Sequence, residues 1–209
     1  MADNLVITIG RECGSGGRFI GQKLADKLGI KCYDKELLTL AAQNSGLCEE
    51  VMAHHDERPT NSFLYSLVMD SSGYGASGYV DAPLNQKVFL AQFDTIKSLA
   101  EQESCVIVGR CADYALAEYP HKISVFTTAE YPDKVKYVQE HYKIEDSKTK
   151  DFIRKTDKKR ASYYNYYTNQ KWGNCGNYDL CINTSAVGYD GAVEVILNFI
   201  EMKKKNHTI

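Results

Sequence analysis

The sequence lacks an excess of charge of either sign and lacks any long run of apolar residues. Its 25 lysines and arginines nearly balance 27 aspartates and glutamates, which gives a formal net charge of −2 in 209 residues. A nearly neutral chain has no overall field that would draw it to nucleic acid or to an anionic membrane. No stretch approaches about 18 uninterrupted apolar residues, and the start has no signal-peptide pattern. We therefore expect a cytoplasmic protein without nucleic-acid or membrane partners.

The sequence also has no cysteine pattern that would indicate a disulfide framework or a zinc site. Its seven cysteines are odd in number and scattered, as is typical of reduced thiols in cytosolic proteins. Cys175 and Cys181 lack the close paired spacing of a zinc knuckle. Residues 54–57 (HHDE) are of metal-binding types, but four consecutive side chains point in divergent directions. No metal site is expected at either place.

Short β-branched segments alternate along the chain with longer amphipathic segments. Residues 5–9, 30–33, 105–108, 123–127 and 180–183 read as strands. This alternation predicts an α/β fold with a parallel sheet, and the nearly continuous apolar character of the strands predicts helices on both faces. With 44% hydrophobic content, residues 1–209 are expected to form a single domain. The predicted fold class is three-layer α/β/α with five parallel strands.

Helices are predicted at 18–28, 35–44, 84–102, 132–142, 146 to about 167, and 192–205. Gly29 suits the end of the first helix, since glycine adopts the left-handed conformation common there, and Asp190 with Gly191 indicates the start of the last. Residues 71–81 contain three glycines. That segment is interpreted as a mobile loop in preference to a binding flap.

A glycine-rich turn follows the first predicted strand and precedes the first predicted helix. Its residues are Gly14, Ser15, Gly16 and Gly17, and glycine tolerates the positive φ angles that bring backbone N–H groups around an anion. The unpaired amides of the following helix add a partial charge of roughly +0.5. The turn therefore predicts a polyphosphate site. An ordinary turn between strand and helix is the alternative.

The turn lacks two residues of a complete Walker A loop. That pattern, G-x-x-x-x-G-K-[ST], ends on a lysine that reaches the β- and γ-phosphates and on a hydroxyl that binds Mg²⁺. Here Gly17, Arg18 and Phe19 follow Gly16. The sequence therefore has neither the lysine nor the hydroxyl at the usual place.

Arg110 and Asp113 come just beyond the predicted strand 105–108, at the position where open parallel sheets bind ligands. The planar fork of an arginine matches two phosphate oxygens, so Arg110 is predicted to clamp a phosphate. A purely structural ion pair between Arg110 and Asp113 is the alternative.

Three charged residues, Arg154, Asp157 and Arg160, recur at intervals of three on a predicted helix. At this spacing they are expected to share a face, with the carboxylate orienting two guanidiniums. Two converging arginines suit phosphoryl transfer, because negative charge spreads over the equatorial oxygens in the transition state. The alternative is a solvated charged face.

Five segments, in order, resemble the cytidylate kinase-like family, a branch of the nucleoside monophosphate kinase fold. They are residues 7–21 (ITIGRECGSGGRFIG), 33–38 (YDKELL), 108–113 (VGRCAD), 157–160 (DKKR) and 178–184 (YDLCINT). The resemblance spans most of the chain. It implies a P-loop kinase-like fold with a helical lid at about 146–172 and an insert at about 45–83 that covers the acceptor nucleotide.

The resemblance also implies a role for each candidate residue. The residues expected around the phosphates of ATP are Gly14, Ser15, Gly16, Gly17 and Arg18. Those expected at an acceptor nucleoside monophosphate are Asp34, Arg110 and Asp113. Those expected in the lid are Arg154, Asp157 and Arg160, and those expected near the adenine are Asn183 and Thr184. Mg²⁺ is expected to accompany ATP.

The sequence departs from the family pattern at the glycine loop. Aligned without gaps to Gly-Pro-Ser-Gly-Ala-Gly-Lys-Gly-Thr, it has Gly17 in place of the lysine and Phe19 in place of the threonine. Arg18 is the candidate substitute for the missing cation, and Ser15 is the candidate hydroxyl for the metal ion.

The sequence thus predicts an ATP-dependent phosphotransferase that acts on a nucleoside monophosphate such as CMP or dCMP, or on another small acceptor. The residues predicted to be catalytic are Arg18, Arg154, Asp157 and Arg160. The altered loop supports an alternative, a non-catalytic nucleotide-binding protein that serves as a sensor or regulator. The acceptor and the oligomeric state are left open.

Overall fold

The centre of the fold is a five-stranded parallel sheet. The computed structural model describes residues 4–59 and 83–206. Its strands are β1 (Val6–Arg11), β2 (Lys31–Tyr33), β3 (Cys105–Val108), β4 (Lys122–Thr128) and β5 (Leu180–Asn183). They lie in the order β2-β3-β1-β4-β5, and all neighbours pair in parallel. The predicted α/β class with a five-stranded parallel sheet is confirmed.

Helices connect the strands and cover the sheet. They are α1 (Gly17–Leu28), α2 (Glu36–Ser45), α3 (Glu49–His55), α4 (Leu84–Gln102), α5 (Ala112–Ala115), α6 (Tyr131–Tyr142), α7 (Asp146–Thr168) and α8 (Thr184–Lys205). A short 3₁₀ turn, Cys175–Asn177, precedes β5. Among the helices of the described ranges, none is both long and apolar enough to cross a membrane.

The central strand β1 sends its side chains alternately into two cores. Ile7 and Ile9 pack with Ile20 of α1 and Ile196 of α8 on one face, whereas Val6 packs on the other face against α4. All five side chains are fully buried, and burial of each contributes roughly 1.5–3 kcal/mol. Because both faces are covered, the end of β1 stands at the middle of the carboxyl edge of the sheet.

Strand β1 is longer than predicted. The predicted strand ends at residue 9, but Gly10 and Arg11 continue the pairing with Phe126 and Thr127 of β4. An arginine beside a glycine-rich turn gives no apolar signal, so periodicity alone ends the strand too early. Arg11 is therefore held at the carboxyl end of the central strand.

Three helices differ from the prediction. Helices α3 and α5 were not predicted, because elements of this length are too short to show an apolar period. Helix α8 begins at Thr184, where the Asn183 side chain accepts a hydrogen bond from the Ser185 N–H. The non-helical Gly188 (φ 71°, ψ 171°) kinks α8, so the predicted start at residue 192 is wrong and corresponds to the part beyond the kink.

The predicted lid and insert are described to different extents. Most of the lid range 146–172 is the single helix α7. The predicted loop at 71–81 lies outside the described residues, as does the 60–82 part of the insert. The single-domain boundaries of the sequence analysis stay a prediction.

Alanine substitutions at the two ends of α1 are expected to have unequal effects. Gly16 and Gly29 both have positive φ, 73° and 66°, so alanine costs about 1–2 kcal/mol of strain at either position. A Cβ at Gly16 would also lie 2.4 Å from the Tyr189 ring, whereas a Cβ at Gly29 meets nothing within 4 Å. Gly16→Ala should therefore lower the free energy of unfolding in urea more than Gly29→Ala. Equal losses would contradict this crowding.

Candidate active site

The glycine loop runs from the end of β1 to the first turn of α1. Gly14 and Gly16 adopt left-handed conformations, with φ of 84° and 73°. Gly16 stands at the N-cap of α1 and has no side chain that could accept from the first amides of the helix, so an outside anion can take this place. A Cβ at Gly14 would lie 2.7 Å from the backbone of Lys134, so packing also demands glycine. The backbone of the loop suits an anion, as expected from its sequence.

A cavity of about 240 Å³ opens beside the loop. Residues 11–14 and 16–18 border it on the loop side. The side chains that border it from other parts of the chain include Asp34, Asp56, Glu57, Arg110 and Arg160. The fold thus brings Asp34, Arg110 and Arg160, which are far apart in the sequence, to the same cavity as Arg18.

Arg18 lies at the rim of this cavity. Its side chain is 58% exposed, and its Nε atom is 3.0 Å from Oδ2 of Asp34. An ion pair at such an exposed position contributes about 0–1 kcal/mol, so it leaves the arginine free to move to a ligand. The other oxygen of Asp34 accepts a hydrogen bond from Arg110 at 3.0 Å. Asp34 therefore connects the rim with the floor of the cavity.

Arg110 forms that floor from a strained backbone segment. Gly109, Arg110 and Cys111 have φ of 79°, 54° and 56°, and such angles cost a non-glycine residue about 1–3 kcal/mol. The guanidinium donates to both oxygens of Asp56 at 3.1 and 3.0 Å, in addition to Asp34. Burial opposes the charge, but Asp56 and Asp34 raise the pKa of Arg110 above its ordinary value. Arg110 is therefore charged and oriented before any ligand binds.

Asp113 is directed away from Arg110. Its carboxylate accepts a hydrogen bond of 2.7 Å from the hydroxyl of Tyr164 on α7, and burial raises its pKa despite this bond. The alternative of an Arg110–Asp113 ion pair is wrong, because Arg110 pairs with two other carboxylates. Asp113 does not border the 240 Å³ cavity, so its predicted place at the acceptor gains no support.

Arg11 and Glu57, which the sequence analysis does not select, form part of the cavity wall. Nη1 of Arg11 lies 2.8 Å from Oε1 of Glu57, and Nε of Arg160 lies 3.5 Å from Oε2 of the same carboxylate. Arg160 also donates to the backbone oxygen of Arg11 at 3.2 Å. A Cβ at position 109 would lie 1.8 Å from Nη1 of Arg11, so a side chain there would displace the guanidinium. Two arginines thus converge on one carboxylate.

The charges of this group compensate one another. Burial would raise the pKa of Glu57, but Arg11, Arg160 and Arg110 together lower it well below its usual range. Burial and the charge of Arg160 lower the pKa of Arg11, and Glu57 opposes this effect. Arginine remains protonated in proteins even so. At neutral pH, the carboxylate and the guanidiniums are therefore all charged.

Sequence reasoning missed Arg11, Asp56 and Glu57 for definite reasons. Arg11 falls outside the predicted strand. Asp56 and Glu57 were weighed only as metal ligands, although they pair with guanidiniums. These contacts join residues 46 and 54 positions apart, so no local pattern indicates them. The signal that could have indicated Arg11 is its position just after the first apolar run, with only Gly10 between them.

The residues predicted for the lid do not all face the loop. Asp157 accepts a hydrogen bond of 2.6 Å from the Cys13 amide, and burial raises its pKa. Arg160 reaches the cavity. Arg154 is 69% exposed and pairs with Asp151 of the same helix. Residues three positions apart on a helix are offset by about 60° around its axis. Arg154 is six positions before Arg160 and therefore lies outside the face that Asp157 and Arg160 share.

The hydroxyl of Ser15 does not fit a metal ligand. Ser15 is fully buried, donates to the Glu12 carbonyl at 2.9 Å and lies 2.8 Å from the Thr127 hydroxyl. In the part of the chain that the structure describes, no three His, Cys, Asp or Glu side chains are grouped to hold a metal ion. Ser15 therefore stabilises the loop from inside, and its predicted metal role is not supported.

Asn183 and Thr184 lie where β5 passes into α8. Asn183 caps the helix through the Ser185 amide. A second pocket, of about 260 Å³, is bordered by Thr184 together with the rings of Tyr137 and Tyr189. Tyr189 also packs on the glycine loop. The pocket is thus close to the loop and adjoins Thr184, near which the adenine of ATP is expected. A contact with adenine stays a prediction.

The site combines a glycine loop after the first strand with arginines at the carboxyl edge of a parallel sheet. The chain matches the cytidylate kinase-like family over residues 6–186. It belongs to that family. It is 27% identical over 203 residues to a cytidylate kinase of Archaeoglobus fulgidus, a match that covers 95% of this chain and 96% of that protein.

Solved structures agree with this assignment. An uncharacterized protein from Eubacterium ventriosum is similar with a TM-score of 0.70 and 30% identity, over 95% of this chain and 99% of that one. A shikimate kinase from Bacteroides thetaiotaomicron is similar with a TM-score of 0.53 and 15% identity, over 94% and 98% of the two chains. The second likeness concerns the fold alone, which is that of P-loop kinases, as predicted.

The Glu57 carboxylate is expected to stabilise the fold at neutral pH and to lose this effect in acid. Its pKa is lower in the folded chain than the ordinary 4.5, so its contribution is complete above pH 4.5 and is lost as the pH falls below it. Glu57→Gln breaks a buried pair and is expected to cost about 3–5 kcal/mol near neutral pH. Denaturant titrations at several pH values should show this cost shrinking below pH 4.5.

The matched control is Glu118→Gln, the same change at an exposed position. It is expected to stay within about 0.5 kcal/mol of the wild type at every pH. A cost of Glu57→Gln that stays constant down to strongly acid pH would mean that Glu57 is not ionised in the cluster.

Proposed function

We propose that the protein is an ATP-dependent phosphotransferase that passes the γ-phosphoryl group of ATP to a nucleoside monophosphate such as CMP or dCMP, or to another small acceptor. The observation that carries the proposal is the cavity in which the glycine loop, Arg18 and Arg160 face Asp34 and Arg110. Membership of the cytidylate kinase-like family supports kinase chemistry. The Archaeoglobus fulgidus relative is named a cytidylate kinase, which supports a nucleotide acceptor.

In this proposal the glycine loop holds the phosphates of ATP. The backbone amides of Gly14 and of residues 16–18 at the start of α1 provide hydrogen-bond donors and partial positive charge, whereas the Ser15 amide donates to the Glu12 carbonyl. Thr184 borders the pocket proposed for the adenine, and Asn183 precedes it in the chain. Asp157 ties α7 to the loop through the Cys13 amide, so the other residues on that face of α7 have a fixed position relative to the donor.

Arg110 and Asp34 are proposed to bind the acceptor. The charge of Arg110 is already in place. Its fork, which Asp56 occupies in the resting protein, matches an acceptor phosphate once Asp56 releases it. In the transfer, the bond from the γ-phosphorus to the β–γ bridging oxygen breaks while a bond to an acceptor oxygen forms. The electron pair of the broken bond stays on ADP, and an ionised phosphate oxygen has no proton to lose. Catalysis then consists of positioning and charge stabilisation.

Arg18 and Arg160 are proposed to stabilise the charge on the group in transfer, and Arg154 is proposed to close over ATP with the lid. Arg160 already borders the cavity, and Arg18 is exposed at its rim. Arg154 is on the surface of α7, outside the face that Asp157 ties to the loop, so its role requires a movement of the part of that helix that precedes Asp157.

Mg²⁺ is proposed to arrive with ATP. The ion takes most of its ligands from phosphates and water in such sites. The carboxylates of Asp34, Asp56 and Glu57 are each paired with an arginine, and the Ser15 hydroxyl is used inside the loop. None of these groups fits a resident ion, so no protein ligand is assigned. When bound to the phosphates, the ion would neutralise part of their charge.

A non-catalytic nucleotide-binding protein, acting as a sensor or regulator, is the second candidate function. The loop favours it, because Gly17 and Phe19 replace the residues that would contact the transferring group and the metal. Backbone amides would still bind ATP in such a protein, and only the transfer would be lost.

A coupled assay for ADP distinguishes the two candidates. The protein, ATP and Mg²⁺ are incubated with a panel of nucleoside monophosphates, nucleosides and small metabolites that carry hydroxyl groups, and ATP binding is measured by calorimetry in parallel. ADP release that depends on one of these acceptors is expected. ATP binding without release for any acceptor would favour the sensor. Absence of ATP binding would contradict both.

Arg160→Met is expected to lower kcat on the order of 10³-fold or more, because an arginine at the transferring group stabilises charge that is largest in the transition state. Steady-state kinetics with the acceptor found in the panel measure this loss. Lys158→Met removes a charge from an exposed position of the same helix and serves as the control. If Arg160→Met and Lys158→Met had equal kcat, Arg160 would not contact the transferring group.

A further inference from the structure

Arg11 is the buried and fixed cation beside the glycine loop. Its side chain is 11% exposed, and its backbone belongs to the central strand β1. Arg18 is 58% exposed at the rim. Lys134 packs against Gly14, is about as buried as Arg11 and is likewise ion-paired, with Glu12, but it does not border the cavity beside the loop. A cation held in place by the sheet loses little side-chain freedom when a ligand binds.

Glu57 lies between Arg11 and Arg160 as an internal anion. It is 2.8 Å from Arg11 but 3.5 Å from Nε of Arg160, which is long for a hydrogen bond. Among residues 4–59 and 83–206, that buried Nε finds no hydrogen-bond partner, although nearly all buried polar atoms have one. Glu57 also has a positive φ of 50°, a costly conformation. The carboxylate therefore fills this place incompletely, and an anion with three oxygens would satisfy the free donor.

The charges around the cavity leave room for such an anion. The basic residues that border it are Arg11, Arg18, Lys35, Arg110 and Arg160, and the acidic ones are Glu12, Asp34, Asp56 and Glu57. The excess is one positive charge, and it becomes two if Glu57 moves out. A phosphoryl group carries about −1.5 to −2 at neutral pH. Exchange of Glu57 for a phosphoryl group would therefore bring the cavity close to neutrality.

Glu57 is displaced more easily than Asp56. Asp56 holds Arg110 by two hydrogen bonds of 3.0 and 3.1 Å and accepts another from Gln92 at 3.3 Å. Among the described residues, the Glu57 carboxylate accepts one hydrogen bond, from Arg11. Fewer contacts are lost when Glu57 leaves.

We propose that Arg11 and Arg160 form the binding site of the phosphoryl group in transfer, that Arg11 supplies the cation missing from the glycine loop, and that Glu57 fills the site until substrates bind. The identity of the ligand rests on the function proposed above, whereas the existence of the anion site does not. In these terms Arg11 is a catalytic residue, and Glu57 is its counter-ion in the resting protein.

The test is the binding of inorganic phosphate to the full chain, measured by calorimetry. Glu57→Gln removes the internal anion while keeping its shape, so phosphate affinity is expected to rise about tenfold or more, as one charge-assisted hydrogen bond would give. Arg11→Met is expected to lower phosphate affinity by a similar factor. Glu118→Gln, at an exposed position, should leave it unchanged. Equal phosphate affinity in the wild type and Glu57→Gln would overturn the proposal.

Binding of ADP, measured in the same way, keeps this result separate from the function proposed above. ADP lacks the group in transfer, so its affinity is expected to be the same in the wild type and in Glu57→Gln. Failure of ADP and ATP to bind the wild type would contradict the kinase proposal, and the phosphate titrations would still decide whether Arg11 and Arg160 form an anion site.

Arg11→Lys keeps the experiment decisive if Glu57→Gln does not fold. Lysine retains the positive charge without the planar fork. Arg11→Lys is therefore expected to bind phosphate more tightly than Arg11→Met and to retain part of the kcat that Arg11→Met loses, with the KM for ATP unchanged in both. If both variants lost phosphate binding and kcat equally, in step with their loss of stability, Arg11 would have only a structural role and the proposal would be wrong.

Discussion

Pairing of buried arginines with carboxylates determines the shape of the cavity. Arg11 and Arg110 have side chains that are 11% and 2% exposed, and each is held by acidic partners. A buried charge without a partner costs several kcal/mol, so in the resting protein Asp34, Asp56 and Glu57 must stay within reach. These partners follow β2 and α3, whereas the arginines belong to β1 and to the segment after β3. The ion pairs therefore fix separate elements around one cavity at the carboxyl edge of the sheet.

Backbone strain is concentrated at the same place. Arg110, Cys111 and Glu57 all have positive φ, at a cost of about 1–3 kcal/mol each. Each of these residues belongs to the cluster of Arg11, Arg110 and Arg160 with their carboxylates or adjoins it. The guanidinium of Arg11 also lies closer to Gly109 than a Cβ at that position would allow. The cluster thus imposes conformations that local preference would not select. Groups oriented in advance in this way can stabilise developing charge without reorganising during a reaction.

The sequence was sufficient for the five strands, for the longer helices except the start of α8, and for part of the site. Apolar runs predicted the five strands, and the glycines predicted the loop, because both signals are local. Arg110 and Arg160 were found because they follow a buried strand or share a helix face with a carboxylate. Arg11 and Glu57 were not found, since their pairing joins residues 46 positions apart and depends on how α3 packs. The spacing of three residues wrongly placed Arg154 on the same face of α7 as Asp157 and Arg160, whereas Arg154 is exposed and pairs with Asp151.

The position of Arg11 separates two tasks that a Walker lysine performs together. That lysine belongs to the loop, so it moves with the amides that hold the donor. Arg11 belongs to the sheet, and its guanidinium lies beside Gly109 in the cavity wall. In the proposed function, the amides of the loop bind the donor phosphates and Arg11 stabilises the charge in transfer, so the two tasks depend on different elements. On that proposal, loss of the loop lysine does not by itself imply loss of transfer, and the contribution of Arg11 distinguishes a kinase from a nucleotide sensor.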